Sequence, residues 1–177
     1  MSFARVRALV VVGILFVGAV VAVTLAMVRD TQTVAQTTVG CPPDHVPADL
    51  RLPENKDVKI NVLNATSQPG LGEQVAADFR NREFTVVKPP ANDKRRVEGV
   101  AVLRYGPKTV GAAQLLRAYF LDQAETEFDI KRTDDIVDVV IGQKYRQLGT
   151  VTEVNQSIGQ LGEPELPKGT CAMEEPN

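Results

Sequence analysis

The hydrophobic and polar positions divide the chain into an apolar block at its amino end and a patterned region behind it. Residues 8–28 form an uncharged run of 21 residues, in which two glycines and one threonine interrupt the apolar side chains. As a helix this run would be about 32 Å long, which matches a hydrocarbon core of about 30 Å. The block therefore predicts a transmembrane anchor, with residues 1–7 as a short cytoplasmic tail.

A cleaved signal peptide is the alternative to an anchor, but its apolar region spans only about 7 to 15 residues before a small-x-small site. The run here is longer, and the nearest cleavage-like sequence, residues 33–35, lies past its end. Arg5 and Arg7 precede the run, whereas Arg29 behind it is offset by a neighbouring acidic residue. Because positive residues stay in the cytoplasm, we expect residues 29–177 to lie outside it.

Behind a proline-containing linker over residues 29–56, the pattern becomes one of alternating strands and helices. Alternation predicts a strand at 58–63, and apolar residues at four-residue spacing predict an amphipathic helix at 71–82. Further predicted elements are short strands at 84–87 and 127–130, longer strands at 97–103 and 136–141, and a helix from Gly106 to Leu121. We therefore expect residues 57–148 to form an α/β two-layer sandwich, βαββαβ-like, with two helices on one face of one sheet.

Composition restricts the chemistry of this domain. The 20 Lys+Arg against 22 Asp+Glu give a formal net charge of −2, which is too even for a general nucleic-acid binder. One His and two Cys cannot supply a four-ligand Cys/His zinc site, and they leave few ways to build a His-dependent triad. We expect no enzymatic activity, no metal, no cofactor and no nucleic-acid partner.

The two cysteines bracket the patterned region, at positions 41 and 171. Outside the cytoplasm an isolated pair favours a disulfide, which we expect between Cys41 and Cys171, with two free thiols as the alternative. In the chain-entropy model, closing so long a loop removes unfolded-state entropy worth about 5 kcal/mol. The bond would clamp the acidic carboxyl tail, residues 149–177, onto the linker side of the fold.

Three segments, taken in order, resemble the LytR C-terminal domain family. They are VKINVLNATSQPGLGEQVAADFRNREFTVV at 58–87, VAVLRYGPKTVGAAQLLRAYF at 100–120 and DVVIGQKY at 138–145. The rest of the chain has no room for the catalytic LytR-CpsA-Psr domain that often precedes this module. The resemblance therefore implies the stand-alone, membrane-anchored type found in actinobacteria. It also implies a non-catalytic role in cell envelope integrity, linked to virulence and to tolerance of wall-active agents.

A ligand site is expected at one edge of the sheet. If the strands at 58–63 and 97–103 are parallel neighbours, their carboxyl ends meet, and the first helix adds free backbone N–H groups. The residues brought together would be Asn64, Thr66, Ser67, Gly70, Arg104 and Tyr105. Such a polar crevice could hold a sugar hydroxyl or an anion. The alternative is that the loop residues cap turns and helix ends and bind no ligand.

Taken together, these patterns predict a membrane-anchored, extracytoplasmic binding or scaffolding module with no chemistry of its own. Its expected partners are the membrane and a cell-wall glycan, an envelope lipid or a membrane protein. One alternative is a small cell-wall hydrolase or transferase, which needs two carboxyl groups in one cleft. The candidates for those groups are Glu98, Asp134, Asp135 and Asp138. Another alternative is a regulator of a membrane enzyme of envelope biogenesis, acting through its span or its acidic tail.

Overall fold

The structure of the protein is a computed structural model that describes residues 41–173. The anchor predicted at residues 8–28 lies outside the described residues. Between residues 41 and 173, no helix is both long enough and apolar enough to cross a membrane.

The described residues form eight strands and three α-helices. The strands are β1 (Val46–Ala48), β2 (Lys59–Asn64), β3 (Thr85–Val86), β4 (Ala91–Asn92), β5 (Ala101–Tyr105), β6 (Ala124–Phe128), β7 (Ile136–Ile141) and β8 (Thr170–Ala172). The helices are α1 (Leu71–Asn81), α2 (Val110–Tyr119) and α3 (Val151–Leu161), and short 3-10 turns lie at Asn55–Asp57 and Pro107–Thr109. The elements predicted from residue 58 to residue 141 are all present, with ends shifted by a few residues.

Six strands form one mixed sheet in the order β3-β2-β7-β5-β6, with β4 also paired to β2. Strand β2 runs parallel to β7, whereas β5 runs antiparallel to β7. The expectation that β2 and β5 are parallel neighbours is therefore wrong. Strand β7 separates them because it is apolar on both faces: Val137, Val139, Val140 and Ile141 are all fully buried, which suits a central position.

Helices α1 and α2 cover one face of this sheet, as the sequence predicts. The four-residue spacing of α1 buries Val75 and Phe79, which share one core cluster with Leu116 of α2. Ile60 of β2 and Val139 of β7 supply the sheet side of the same cluster. The fold is thus the predicted two-layer α/β sandwich.

The disulfide between Cys41 and Cys171 is confirmed, with the two Cα atoms 5.8 Å apart. Beside it, β1 and β8 pair in parallel as a small second sheet, with Pro47 opposite Cys171. The segment predicted as a linker thus contains a strand, in which Ala48 is fully buried. The bond brings the end of the described chain back to its beginning.

The segment predicted as an acidic tail also contains helix α3. Thr150 and Glu153 form a capping box at its start, each side chain bonding the other's backbone N–H. Val154 is buried in the main core, and Ile158 and Leu161 pack against it at helical spacing. This helix adds a third element to the helical layer, next to α2.

Candidate functional site

The polar side chains of the loop after β2 form hydrogen bonds with other groups of the same loop. The Asn64 side chain donates to the carbonyl of Gln68 at 2.8 Å and accepts from the Thr66 N–H at 3.0 Å and the Thr66 hydroxyl at 2.7 Å. Thr66 Oγ1 in turn accepts from the Gln68 N–H. Asn64 is only 6% exposed, while Ser67 lies on the surface. Asn64 and Thr66 therefore hold the turn together, which is the alternative that the sequence left open.

Arg104 and Tyr105 are not brought to this loop. Through β7, the residue level with Asn64 on β5 is Ala101, and Arg104 is level with Asn61. Arg104 thus lies about 10 Å further along the sheet, at about 3.3 Å per residue. The crevice expected between these residues and Gly70, which starts α1 with a φ of +76°, does not form, because β2 and β5 run in opposite directions.

Arg104 instead belongs to an ion-pair network on the sheet face that carries no helix. Its Nη1 lies 2.5 Å from Asp93 Oδ2, and its Nε lies 2.9 Å from Glu127 Oε2. Arg95 Nη2 pairs with the same Glu127 oxygen at 2.6 Å. Burial would raise the pKa of Asp93, but hydrogen bonds from Arg104 and Arg95 outweigh it and lower that pKa. The network fixes the segment after β4 across the sheet.

The carboxylates considered for a hydrolase or transferase also form salt bridges with arginine or lysine side chains. Arg132 binds Asp138 at 2.8 Å and Asp134 at 2.9 Å, and Lys59 binds Asp135 at 2.7 Å. The hydrogen bond from Lys59 is the main reason that the pKa of Asp135 is lowered. A carboxyl held ionised in this way is unsuited to act as a general acid. The fourth candidate, Glu98, lies 3.7 Å from its own partner, Arg96.

Tyr105 lies on the opposite, helix-covered face and lines a cleft of about 330 Å³. The cleft is bounded by α2, by β5 and β6, and by the segment that follows α3. Its polar lining residues are Tyr105, Gln114, Arg117, Thr126, Glu163 and Glu165. Apolar side chains from α2 and from residues 161 and 164 line the rest. This volume is at the small end of the range of about 300 to 1,000 Å³ typical of ligand pockets.

The polar groups of α2 hold the cleft in shape. The Gln114 amide, 8% exposed, donates to the carbonyls of Leu161 at 3.4 Å and Gly162 at 3.3 Å. Its oxygen accepts from Arg117 Nη1 at 3.1 Å, and Arg117 Nε donates to Asp122 Oδ1 at 3.1 Å. The wall that begins at Leu161 is thereby tied to α2.

The tyrosine of the cleft keeps its proton at neutral pH. Its ring packs on Phe128 with the centroids 5.5 Å apart. Burial raises the pKa of the Tyr105 hydroxyl, and hydrogen bonding with the Thr126 side chain only partly offsets this. Tyr105 therefore presents a neutral hydroxyl, able to donate and to accept, at the cleft.

Of these cleft residues, only Tyr105 is among the site residues predicted from the sequence. Gln114 carried a usable signal, because it lies between Val110 and Ala118 at four-residue spacing, on the buried side of α2. A polar residue on such a stripe needs a partner, which here lies 48 residues away at Gly162. Thr126 and the residues after α3 gave no signal without the tertiary fold.

A second depression, of about 440 Å³, lies beside the amino end of β2. It is larger, but four of its charged residues are held in two ion pairs, Arg51 with Asp49 and Lys59 with Asp135. Across residues 41–173, no group of three or more His, Cys, Asp and Glu side chains is arranged to hold a metal ion. We therefore take the cleft at Tyr105 as the candidate ligand site.

Comparison with known proteins bears on the α/β unit. A family model described as "LytR cell envelope-related transcriptional attenuator" matches residues 57–145, and the resemblance seen in the sequence motifs is thereby confirmed. The chain is also similar to the crystal structure of the soluble domain of a conserved hypothetical secreted protein from Mycobacterium marinum. That likeness has 25% identity and a TM-score of 0.49, over 69% of this chain and 83% of that one. No curated protein sequence matches the chain significantly.

Proposed function

The chain belongs to the LytR C-terminal domain family, and on that basis we propose that it is a membrane-anchored binding module of the cell envelope. The module lies outside the cytoplasm, binds an envelope component and catalyses no reaction. The observation that carries the proposal is that the cell envelope-related family model spans residues 57–145. That range contains the whole six-stranded sheet together with α1 and α2.

The disulfide supports a location outside the cytoplasm. Disulfides persist in oxidising compartments and are rare in the cytosol. Cys41 and Cys171 form one here, and the apolar run at 8–28 follows the positive residues Arg5 and Arg7. In the proposal this run is the anchor, and residues 29–177 face the envelope.

The ion pairs support a binding role over carboxylate chemistry. Asp134, Asp135 and Asp138 are each held by an arginine or a lysine. Glu163 and Glu165 do line the cleft, but they lie two residues apart on the same wall. Glycosidases need two carboxyl groups that flank the bond from different sides. We therefore favour binding without turnover.

The cleft at Tyr105 is the site that the proposal assigns to the ligand. It combines a tyrosine ring, a guanidinium and a hydroxyl with apolar side chains, in a concave shape closed by the segment after α3. Such mixtures, in which apolar walls give affinity and a few polar groups fix orientation, are typical of small-ligand sites.

A complementation experiment tests the role and the site together. Deletion of the gene should raise dye uptake and sensitivity to wall-active agents, and the full chain should restore both. Thr126→Trp fills the cleft from an exposed position on edge strand β6 and should fail to restore them. Glu125→Trp, exposed on the other face of the same strand, is the matched control and should succeed.

Two results would contradict the proposal. One is a deletion strain with normal permeability and normal sensitivity to wall-active agents. The other is release of soluble products when the purified chain is incubated with isolated wall polymers, because a binding module has no turnover.

A further inference from the structure

The hydrogen-bonding groups of the cleft are of both kinds, donors and acceptors. Arg117 has five N–H groups, and its bonds to Asp122 and Gln114 use three of them. Two donors are left on a guanidinium whose position is already fixed. Glu163 and Glu165 are exposed acceptors. The Thr126 hydroxyl bonds the Tyr105 oxygen, so Tyr105 keeps a free O–H donor and Thr126 a free acceptor. A ligand that fills this cleft must therefore carry both hydrogen-bond donors and hydrogen-bond acceptors.

The charge and the donor groups of the cleft argue against an ion as the ligand. Asp122 pairs with Arg117 and cancels its charge. Within residues 41–173, neither Glu163 nor Glu165 has a salt-bridge partner, so the balance at the cleft mouth is negative. An anion would be repelled by these two carboxylates. A cationic amine would be attracted by them, but it offers only donors and leaves the remaining N–H donors of Arg117 without acceptors. Neither kind of ion satisfies both walls.

A neutral ligand with many hydroxyls fits both requirements. A sugar hydroxyl donates and accepts at once, and a pyranose ring has an apolar C–H face that can lie against an aromatic ring or aliphatic side chains. Tyr105, Leu161 and Pro164 provide such a surface in the cleft. A volume of about 330 Å³ suits a small ligand of this kind.

From these observations, and resting on the proposed function, we propose that the cleft binds one neutral sugar ring of a glycan. Arg117 and Tyr105 supply donors to the ring hydroxyls, and Thr126, Glu163 and Glu165 accept from them. The specificity is for neutral sugars over uronic acids and over amines.

The site depends on the disulfide for one of its walls. Glu163 and Glu165 lie between the Gln114 contact at residues 161 and 162 and the pairing of β8 with β1. Cys171 of β8 is bonded to Cys41. Breaking this bond releases the distal end of the wall, while the contact with α2 remains. Sugar binding is therefore expected to weaken on reduction without loss of the sheet.

The test uses the full chain in detergent and ligand-observed saturation-transfer NMR. The probes are glucose, galactose and N-acetylglucosamine as neutral sugars, glucuronate as the anion and putrescine as the cation. At least one neutral sugar should receive saturation at its C–H protons, and glucuronate and putrescine should bind more weakly. Combined Tyr105→Phe and Thr126→Val changes should raise its Kd about tenfold, the effect of losing one or two hydrogen bonds. Tyr145→Phe removes a half-buried tyrosine hydroxyl outside the cleft and should leave the Kd unchanged.

The inference is overturned by any of three results. The first is that the neutral sugars give no signal, or only signals that persist in the cleft-filling Thr126→Trp variant. The second is that glucuronate or putrescine binds more tightly than every neutral sugar. The third is that the double variant binds the sugar as well as the parent chain does. If one of these occurs while the deletion strain still leaks dye, the sugar specificity fails and the envelope role stands. If sugar binds as expected and the deletion strain is normal, the envelope role fails and the site stands.

Discussion

The Asn64 loop and the Tyr105 cleft contain the same kinds of polar group, but they use them in opposite ways. In the loop, the Asn64 amide and the Thr66 hydroxyl bond each other and the neighbouring backbone. In the cleft, Arg117 keeps two N–H donors free, and Glu163 stands at the mouth of the cavity with no cation paired to it among the described residues. Polar groups with partners in their own chain stabilise a fold, whereas groups directed at a cavity are available to a ligand.

The two regions also differ in how far their contacts reach along the chain. The bond from Asn64 joins residues four apart, while the bond from Gln114 to Leu161 joins residues 47 apart. A local turn forms from its own sequence, but the cleft exists only once α3 and the segment after it are held in place. The disulfide should therefore affect the cleft far more than the loop.

The largest effect is expected from removal of the disulfide. Cys171→Ser should lower the free energy of unfolding by about 2–5 kcal/mol, because the unfolded chain regains the entropy of a long open loop. Urea unfolding measures the loss. Hydrogen exchange should quicken at residues 161–172, while the bonded amides of Ala65, Thr66 and Gln68 in the loop keep their protection. The reduced parent chain is the control and should behave in the same way. If exchange quickened equally in the loop and in the cleft wall, the disulfide would not act preferentially on the cleft.

The next largest effect is expected in the loop. Asn64→Ala should cost about 2 kcal/mol of stability, because the substitution removes three hydrogen bonds made by a buried side chain that holds the turn together. Ser67→Ala, on the exposed part of the same loop, is the matched control and should change stability by less than about 0.5 kcal/mol. Thermal unfolding followed by circular dichroism distinguishes the two. If Asn64→Ala were as mild as Ser67→Ala, the loop would not be a structural turn.

Acid should weaken the ion pair that lies beside the loop. The backbone N–H of Asp93 bonds the carbonyl of Asn64, and its side chain pairs with Arg104. The pKa of Asp93 in the folded chain lies below its ordinary value of 3.8, so the stabilisation is present above about pH 4 and is lost as the pH falls through the folded value. The loss should not exceed about 1 kcal/mol for such a pair. Stability measured from pH 6 to pH 2 should show this step, and Asp93→Asn should flatten it.

The smallest effect on stability is expected in the cleft. Tyr105→Phe keeps the ring on Phe128 and removes only a hydroxyl, so the free energy of unfolding should change by less than about 0.5 kcal/mol. The same substitution, alone or with Thr126→Val, should weaken ligand binding. A drop in stability as large as that of Asn64→Ala would mean that the Tyr105 hydroxyl serves the fold and not a ligand.

Much of the helical layer and of the sheet could be predicted from local pattern. The spacing of Val75 and Phe79 and the alternation of Ile60 and Val62 are properties of short segments, and both pairs are buried as expected. The order of the strands could not be predicted in this way. It depends on the position of β7 between β2 and β5. That position is favoured because both faces of β7 are apolar, and both become buried only in the complete sheet.

The cleft was less predictable than the fold. Tyr105 was identified through a supposed neighbourhood with Asn64 that does not exist, and α3 was overlooked because its apolar residues Val154, Ile158 and Leu161 lie in an otherwise polar tail. Pocket walls built from residues far apart in sequence leave no local signature. They follow from packing and, here, from the cross-link between the two ends of the described chain.

The central claim is that this module works outside the cytoplasm, anchored by its apolar amino-terminal run. Fusing alkaline phosphatase after Asn177 tests it most directly, because that enzyme is active only where its own disulfides form. We expect an active fusion that fractionates with the membrane and keeps residues 1–30. An inactive fusion, paired with an active β-galactosidase fusion at the same position, would contradict the account.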